Sequence, residues 1–289
     1  MQPYDPLDSV ARATAFHDLH RAERTFVMPC AWDAFSALLF EQAGFQCVGT
    51  TSGGVNWVKG RKDYIYTTPV DEMLHAYSAI AAATGLPVSA DLENGYGRHA
   101  DDVAATITAS INAGLVGGSI EDTQAVPTDE KFTNGELYEH NVAVARIAAA
   151  RAAADAAPFH YTLTARCEVY YTLCTNPFTE AVERLNAYRE AGADCLFVPG
   201  LNDPALLEQL VKEVDGPVSF GMGATESPLT VAMLEDIGVR RISTGGGLAR
   251  ATFGLLQKAA TEIVADGTFG YLDGALSEEA VNRLLNNRS

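Results

Sequence analysis

The chain has 289 residues, of which 47% are hydrophobic, and its formal net charge at pH 7 is -17. No basic stripe offsets this acidity, so nucleic acid and anionic membrane surfaces are excluded as expected partners. No uninterrupted apolar run approaches the length that crosses a bilayer, so no membrane-spanning helix is predicted and a soluble protein is expected.

The N-terminal region and the cysteines together predict a cytoplasmic protein. The N-terminal region lacks a cationic start followed by an apolar core, which argues against a secretory signal. The cysteines form no C-x-x-C pair, their number is odd, and most lie in apolar runs: Cys30, Cys47, Cys167, Cys174 and Cys195. Such usage is typical of a reducing compartment and not of a disulfide scaffold.

A unit made of a helix, a glycine and a short apolar strand repeats along the chain. It occurs in order as ALLFEQAGFQCVGTTSGG, YSAIAAATGLPVSADLENGYG, AATITASINAGLVGGSIED, AVERLNAYREAGADCLFVPG and AMLEDIGVRRISTGGG. Four glycines fall where the end of a helix favours a left-handed residue: Gly44, Gly114, Gly192 and Gly238. The strands are short and continuously apolar, as expected for strands that are covered on both faces.

Eight candidate strands follow in chain order: TFVMP, CVGTT, PVSAD, GGSIED, HYTLTAR, CLFVPG, PVSFGM and RRISTG. Strands that alternate with helices in this number predict a parallel (β/α)8 barrel of the TIM type, formed by residues 1–289 as one domain. An open doubly wound sheet is the main alternative, and the even spacing of the units disfavours it. The extra helices from about residue 256 are available to pack on a neighbouring subunit, so a homo-oligomer (a dimer or a tetramer) is expected.

The active face of such a barrel lies at the C-terminal ends of its strands. Charged residues follow the third, fourth and fifth strands there: Asp91, Glu93, Glu121, Asp122, Arg166 and Glu168. Asp91 and Glu93 are two residues apart, so strand geometry predicts that both side chains point the same way. Glu121 would join them from the neighbouring strand.

This group of carboxylates predicts a metal site at Asp91, Glu93 and Glu121. Three converging carboxylates repel one another, and a hard divalent cation removes that conflict. Sparse carboxylates with water suit Mg²⁺ or Mn²⁺ better than zinc. The alternative is a solvated strand end with local hydrogen bonds.

Two glycine-rich turns and one arginine are candidates for binding an anion. The turn TTSGG (residues 50–54) presents backbone N–H groups that can hold a carboxylate or phosphate, or it is only a tight turn. Arg166 ends an apolar strand, so it either pairs with Glu121 or Glu168 or binds a substrate anion. The turn STGGG resembles a phosphate-binding turn at a helix start, although such glycines also serve packing.

The sequence lacks the residues that several other types of reaction require. No lysine falls within a predicted strand, which argues against a Schiff-base aldolase: the lysines are Lys59, Lys62, Lys131, Lys212 and Lys258. No Gly-x-Ser-x-Gly elbow is present, and no histidine spacing indicates zinc. The electron sink of the reaction is therefore expected to be a metal.

Five segments, in this order on eight β/α units, resemble the isocitrate lyase/phosphoenolpyruvate mutase superfamily: TTSGG, SADLENGYG, SIEDT, TARCE and RISTGGGLAR. The resemblance extends from about Thr25 to Leu255. It implies a Mg²⁺-dependent barrel that acts on 2-oxo acids or on 2-hydroxy di- and tricarboxylic acids. The implied chemistry is cleavage or formation of a C–C bond, or in some members a P–C bond, beside an enolate of the pyruvate type.

The resemblance also implies roles for individual residues. It places the metal at Asp91, Glu93 and Glu121, with Glu93 standing where the family has Asp, and the substrate carboxylate at Ser52, Gly53 and Gly54. It implies that Arg166 contacts the substrate. The nearest match to a further Asp of the metal or substrate network is Asp63 in GRKDY, so the catalytic candidates are Arg166, Glu121 and Asp63.

The chain departs from the family in the loop after the fourth strand, which would close over the site. Isocitrate and methylisocitrate lyases carry Lys-[KR]-Cys-Gly-His there, and phosphoenolpyruvate mutases carry a Lys-[KR]-Asn-Ser type loop. This chain reads EDTQAVPTDEKFTNGELYEH, which disfavours both cysteine-dependent cleavage of isocitrate-like substrates and simple mutase activity. Lys131, Asn134 and His140 are candidate lid groups, and no spacing selects one.

The sequence therefore predicts a carbon–carbon lyase that acts on a small 2-oxo or 2-hydroxy acid through a metal-stabilised enolate. Activity of the phosphoenolpyruvate mutase or phosphonopyruvate hydrolase type is one alternative. The missing loop signature leaves a non-catalytic carboxylate-binding barrel as another. A phosphosugar enzyme that uses STGGG is disfavoured, because no cation is expected at the ends of the last strands.

Overall fold

The computed structural model describes residues 6–63, 68–124, 136–223 and 228–286. In these ranges nine parallel strand segments form one sheet, with eleven α-helices around it. The strands are β1 (Phe26–Met28), β2 (Cys30–Ala31), β3 (Val48–Thr50), β4 (Val88–Asp91), β5 (Gly117–Glu121), β6 (Thr162–Arg166), β7 (Cys195–Phe197), β8 (Val218–Gly221) and β9 (Arg241–Ser243). The helices are α1 (Pro6–Arg21), α2 (Ala34–Gln42), α3 (Ser52–Val58), α4 (Val70–Ala83), α5 (Ala100–Asn112), α6 (His140–Ala154), α7 (Pro177–Glu190), α8 (Pro204–Glu213), α9 (Val231–Ile237), α10 (Gly247–Asp266) and α11 (Glu278–Asn286).

The barrel closes through a strand that is split in two. β1 and β2 are separated by Pro29, which has no N–H to donate to a neighbouring strand. β1 pairs with β9, and β2 pairs with β3, so the two halves together join the ends of the sheet. The eight predicted strands are all present, which confirms the (β/α)8 barrel and shows that the doubly wound alternative is wrong.

The predicted helix-terminating glycines also have the expected backbone. Gly44, Gly114, Gly192 and Gly238 have φ values between +89° and +105° and follow α2, α5, α7 and α9. An L-residue is strained in this region, and at Gly192 an added Cβ would lie 2.5 Å from Arg151 Cγ. Each turn therefore delivers the chain directly from a helix into the next strand.

A buried polar cluster lies inside the barrel above α1. His20 Nδ1 lies 2.9 Å from the carbonyl oxygen of Phe16, which assigns the ring proton to Nδ1 and leaves Nε2 as an acceptor. Arg241 donates to that Nε2 at 3.3 Å, to Thr164 Oγ1 at 3.0 Å and to Ser219 Oγ at 3.0 Å. Burial, together with the neighbouring Arg241 charge, lowers the pKa of His20 to about 3.

This neutral histidine predicts a loss of stability in acid. The unfolded chain binds a proton at His20 as the pH falls below about 6.5, and the folded chain does so only near pH 3. The free energy of unfolding should therefore fall by about 2 kcal/mol between pH 7 and pH 5 from this residue alone. In the variant His20→Gln, the free energy of unfolding should fall less steeply with pH, as measured by urea denaturation at pH 7, 6 and 5. The exposed His75→Gln variant is the control, and equal slopes in His20→Gln and wild type would contradict the assignment.

The C-terminal region leaves much apolar surface uncovered. Ala249 is the only buried residue of the twenty-residue helix α10. Large apolar side chains on α10 and after it are more than half exposed: Leu255, Leu256, Val264, Phe269, Leu272 and Leu276. This surface is where the sequence predicts contact with a neighbouring subunit. Among the described residues, no helix is long and apolar enough to cross a membrane.

Candidate active site

A cavity of about 480 Å³ lies at the C-terminal ends of the strands. The predicted site residues that line it are Ser52, Gly53, Asp63, Asp91, Glu93, Glu121 and Arg166. Gly54 lies outside this lining, and a Cβ on it would be 2.7 Å from both Trp32 Cβ and Thr51 Cγ2. The barrel thus brings residues from β4, β5 and β6 and from the turn after β3 to one concave site of the size that small ligands occupy.

Asp91 is the last residue of β4, and both of its carboxylate oxygens are held. Oδ2 accepts hydrogen bonds from the Ser52 N–H at 3.3 Å and the Ser52 hydroxyl at 2.9 Å. Oδ1 accepts from Arg166 Nη1 at 3.1 Å. The Asp91 N–H donates to Thr50 Oγ1 at 2.9 Å, and its carbonyl oxygen accepts from the Tyr77 hydroxyl at 2.8 Å. The carboxylate is therefore fixed in one orientation at the strand end.

Arg166, the last residue of β6, contacts three carboxylates. Its Nη1 lies 3.1 Å from Asp91 Oδ1, and its Nη2 lies 3.1 Å from Glu121 Oε2 and 2.9 Å from Glu168 Oε1. Glu121 is 2% exposed and Glu168 is fully buried, so the guanidinium contributes to compensating these two buried charges. One positive charge opposite three negative charges leaves the cluster negative. This excess is an electrostatic reason to bind a cation.

Glu93 reaches the cavity by a route that the strand pattern did not predict. β4 ends at Asp91, so the expected alternation along a strand does not continue to Glu93. Glu93 instead has φ of +48°, a left-handed conformation that costs roughly 1–2 kcal/mol for a residue with a side chain. Its carbonyl oxygen accepts from the Glu121 N–H at 2.9 Å, and Gly95 with φ of +83° completes the turn. The strained residue lies beside the site, as is common for functional positions.

The turn after β3 begins α3 and contributes amide groups. The side chain of Thr51 caps the helix by accepting from the Gly54 N–H at 3.3 Å, and the Ser52 N–H is already bonded to Asp91. Within the described residues, the Gly53 N–H has no hydrogen-bond acceptor. A Cβ on Gly53 would lie 2.7 Å from Asp63 Oδ2, so glycine lets Asp63 approach the turn closely. The turn therefore offers one available amide beside a carboxylate.

The cavity lining also includes large side chains that were not predicted as site residues, among them Trp57, Tyr171, Arg241 and Arg250. The expectation that no cation lies near the ends of the last strands is wrong, because Arg250 at the start of α10 lines the cavity. Its guanidinium donates to the carbonyl oxygen of Gly223. Burial and the nearby Glu168 carboxylate raise the pKa of Tyr171 to about 12, so its hydroxyl keeps its proton at neutral pH. Trp57 and Tyr171 lie beyond the strand ends, which explains why strand-end reasoning missed them.

Asp122 is buried next to the site, but its hydrogen-bond partners indicate a structural role. Its Oδ2 accepts from the Tyr188 hydroxyl at 2.6 Å and lies 3.4 Å from Arg184 Nη1, and its Oδ1 accepts from the Glu168 N–H at 2.9 Å. Burial raises the pKa of its carboxyl group. Asp122 does not line the cavity and instead ties the segment after β5 to α7 and to the segment after β6.

The residues present suit a hydrated divalent cation. Asp91, Glu93 and Glu121 supply hard oxygen donors, and no lysine lies in a described strand to serve as an alternative electron sink. Their carboxylate oxygens do not all fall within 4.8 Å of one another in the described residues, so the three do not form one compact ligand shell. Mg²⁺ commonly keeps several water ligands and uses only one or two carboxylates directly. The donor set therefore fits Mg²⁺ with water between the ion and part of the set.

The two ends of the predicted lid loop are joined. Thr123 and Leu137 form an antiparallel bridge, and the Gln124 N–H donates to the Glu136 carbonyl oxygen at 2.8 Å. Lys131 and Asn134 lie outside the described residues. His140 is exposed at the first residue of α6 and does not line the cavity. Of the three candidate lid groups, His140 is therefore not in contact with the site in this structure.

A parallel barrel with an acidic cavity at its strand ends is typical of a barrel enzyme, and comparisons with known proteins identify the class as lyase-type. A model of the family described as phosphoenolpyruvate phosphomutase matches residues 16–264. The protein named probable 2-methylisocitrate lyase 2 of Corynebacterium glutamicum is 30% identical over 250 residues, which cover 83% of this chain and 76% of that protein. The chain belongs to the phosphoenolpyruvate phosphomutase family, within the isocitrate lyase/phosphoenolpyruvate mutase superfamily.

Two solved structures extend the agreement to the whole fold. A protein of Burkholderia cenocepacia J2315 designated a candidate lyase or mutase is 40% identical, with a TM-score of 0.89 and coverage of 96% of this chain and 97% of that one. The structure of 2,3-dimethylmalate lyase is 25% identical, with a TM-score of 0.84 and coverage of 96% and 92%. The predicted superfamily and the prediction of a lyase-type enzyme are confirmed.

Proposed function

We propose that this protein is a Mg²⁺- or Mn²⁺-dependent lyase that cleaves or forms a C–C bond in a small 2-oxo or 2-hydroxy carboxylic acid through an enolate. One observation carries the proposal: Asp91, Glu93, Glu121 and Arg166 line a single cavity. The carboxylates suit a divalent cation, and Arg166 suits an anionic substrate group. The cavity volume of about 480 Å³ matches a substrate with few carbon atoms.

Asp91, with Glu93 and Glu121 directly or through water, would hold the metal. When bound, the metal would withdraw electron density from the oxygens of a 2-oxo carboxylate and so lower the barrier to forming an enolate. Arg166 would add a second positive charge at the oxygen where negative charge develops. Its three carboxylate partners fix its position in advance, and such preorganised charge is worth several kcal/mol in a site that excludes water.

The Ser52–Gly54 turn would bind the carboxylate group of the substrate. The Gly53 N–H supports this role because it has no acceptor among the described residues. Asp63 lies against Gly53, so it would act on water or a substrate hydroxyl at that edge of the cavity. Tyr171 keeps its proton at neutral pH and would donate a hydrogen bond or a proton to the leaving fragment.

The choice of a C–C bond over a P–C bond is supported by the named relatives. The names of 2-methylisocitrate lyase and 2,3-dimethylmalate lyase describe cleavage of 2-hydroxy acids. The loop signatures of cysteine-dependent lyases and of mutases are both missing from the segment after β5. A reaction of the phosphoenolpyruvate mutase or phosphonopyruvate hydrolase type is the second candidate, and the positive charge of Arg250 in the cavity lining favours it because a phosphonate is an anion.

A panel of acids tests the proposal directly. Oxaloacetate, 2-methylisocitrate, 2,3-dimethylmalate and phosphonopyruvate should be incubated with the enzyme, with Mg²⁺ present and after chelation. In parallel, exchange of the methyl protons of pyruvate in D₂O measures enolate formation without a full reaction. We expect Mg²⁺-dependent exchange and turnover of at least one 2-hydroxy or 2-oxo acid. Absence of exchange together with turnover of none of the acids would overturn the enolate mechanism.

We also propose that two or more copies assemble through the C-terminal helices. The exposed leucines of α10 support this, because burying one such side chain contributes about 1.5–3 kcal/mol. The double variant Leu255→Asp/Leu256→Asp should therefore dissociate the dimer or tetramer into monomers in light-scattering measurements. The exposed Leu173→Asp variant, on a loop remote in sequence from α10, serves as the control. A wild-type monomer, or a double variant of unchanged mass, would contradict the assembly.

We propose a cytoplasmic location because the cysteines form no disulfide. All five are free thiols, and four of them are buried. Burial raises the pKa of the Cys47 and Cys167 thiols, which makes them poor nucleophiles at neutral pH. A reducing compartment suits a protein that depends on no disulfide.

A further inference from the structure

A cluster of two histidines and an aspartate lies at the N-terminal end of the barrel, away from the active-site cavity. His17 is on α1, His160 lies two residues before β6, and Asp194 immediately precedes β7. One potential ligand atom from each side chain lies within 4.8 Å of those of the other two. None of the three lines the cavity. We propose that His17, His160 and Asp194 form a binding site for a transition-metal cation, with Zn²⁺ as the best fit.

The donor atoms are close to the arrangement that zinc requires. His160 Nε2 lies 2.9 Å from Asp194 Oδ1, and the rings of His17 and His160 are 4.0 Å apart between centroids. In a tetrahedral site with bonds of about 2.0–2.2 Å, ligand atoms are about 3.4 Å apart. The exposed His160 ring is free of the packing that holds Asp194, so its rotation would adjust these distances. His160 is 42% exposed, so water can supply the fourth ligand.

The other contacts of Asp194 orient its carboxylate toward the proposed cation site. Asp194 Oδ2 accepts from the Leu163 N–H at 2.8 Å and from Arg151 Nη1 at 3.2 Å, which leaves Oδ1 directed to His160. Arg151 also pairs with Asp155 at 2.7 Å, so its charge is shared between two carboxylates. Burial alone would raise the pKa of Asp194, but His160 and the Leu163 N–H outweigh it and lower the pKa. Fixed carboxylates of this kind orient metal ligands well.

His17 provides an independent observation. Its Nδ1 is buried and has no hydrogen-bond partner in the described part of the chain. A buried polar atom without a partner is unfavourable, and a cation bound at this nitrogen would remove that penalty.

The bound metal would link α1 to the N-terminal end of the barrel. His17 belongs to α1, which also carries His20 of the buried cluster, whereas His160 and Asp194 lie just before two neighbouring barrel strands, β6 and β7. A cation shared by these three elements stabilises the folded chain by mass action. The three residues are far apart in the sequence, so histidine spacing could not have indicated the site.

Zinc titration of the chelator-treated protein tests this site. Calorimetry should be done with Mg²⁺ in excess, which occupies the active site. We expect one Zn²⁺ per chain and an increase in the thermal unfolding midpoint. The dissociation constant should rise at least about tenfold in His17→Ala and in His160→Gln. His160 is exposed, so its variant remains folded even if His17→Ala weakens the packing of α1. Co²⁺ should give the visible spectrum of a tetrahedral site in wild type but not in His17→Ala or His160→Gln.

Two controls separate this site from others. His75→Gln removes an exposed histidine outside the cluster, and Asp91→Asn removes a carboxylate of the active site; both should bind Zn²⁺ as wild type does. Failure of wild type to bind Zn²⁺ overturns the proposal. So does binding of equal affinity in wild type, His17→Ala and His160→Gln. Loss of binding in Asp91→Asn alone would assign the zinc to the active site and also overturn it.

Discussion

Asp91→Asn should reduce kcat/KM by about a thousandfold or more while leaving the barrel folded. The amide has the size of the carboxylate, and its oxygen can still accept from Ser52, whereas its NH2 group would face Arg166 and that hydrogen bond would be lost. The negative charge is lost at the residue proposed to hold the metal. Removing one group that stabilises transition-state charge costs about 10²–10³ in rate, and loss of the metal adds to this.

The measurement is turnover of the best acid from the panel, or pyruvate proton exchange, across a Mg²⁺ titration. Circular dichroism and thermal unfolding establish that the variant is folded. Asp101→Asn is the matched control, because Asp101 is an exposed aspartate in the first turn of α5. Activity within tenfold of wild type at the same Mg²⁺ concentration would reject Asp91 as the centre of the site.

The positions of the site residues were predictable because the barrel follows from repeated local signals. Four strands (β3, β5, β7 and β9) are preceded by a helix that ends at a glycine, and the ends of these strands could be located within one to three residues. In a parallel barrel all those ends share one face. Asp91, Glu121 and Arg166 are the last residues of β4, β5 and β6, and strand position alone was enough to bring them together.

The remaining parts of the site depend on tertiary contacts that have no local signal. Glu93 lies beyond β4 and enters the cavity through a left-handed turn, which no alternation pattern predicts. Trp57, Tyr171 and Arg250 come from helices and turns after the strands, and their approach depends on how those segments pack. Pro29 splits the first strand, but only the pairing of β1 with β9 and β2 with β3 reveals that the split closes the barrel.

Arg166→Met should both inactivate and destabilise the protein, because the guanidinium compensates three carboxylates at once. Asp91, Glu121 and Glu168 lie within 3.1 Å of it, and two of them are almost completely buried. Removing one partner of a buried ion pair costs about 3–5 kcal/mol, since the remaining charges keep their desolvation penalty. Methionine retains most of the apolar volume of arginine, so the loss of stability and activity should come mainly from the missing charge and not from altered packing.

Mg²⁺ distinguishes this explanation from a simple packing defect. If the stability is lost because the carboxylates are uncompensated, a divalent cation bound at the same cluster should restore part of that stability. Mg²⁺ should therefore raise the unfolding midpoint of Arg166→Met more than that of wild type. Turnover should stay about 10²–10³ lower even with saturating Mg²⁺, because the ion restores stability but not the positive charge at the substrate oxygen. Arg98→Met, at an exposed arginine, should match wild type in urea denaturation. Equal responses of Arg166→Met and wild type to Mg²⁺ would mean that the cluster and the metal site are separate.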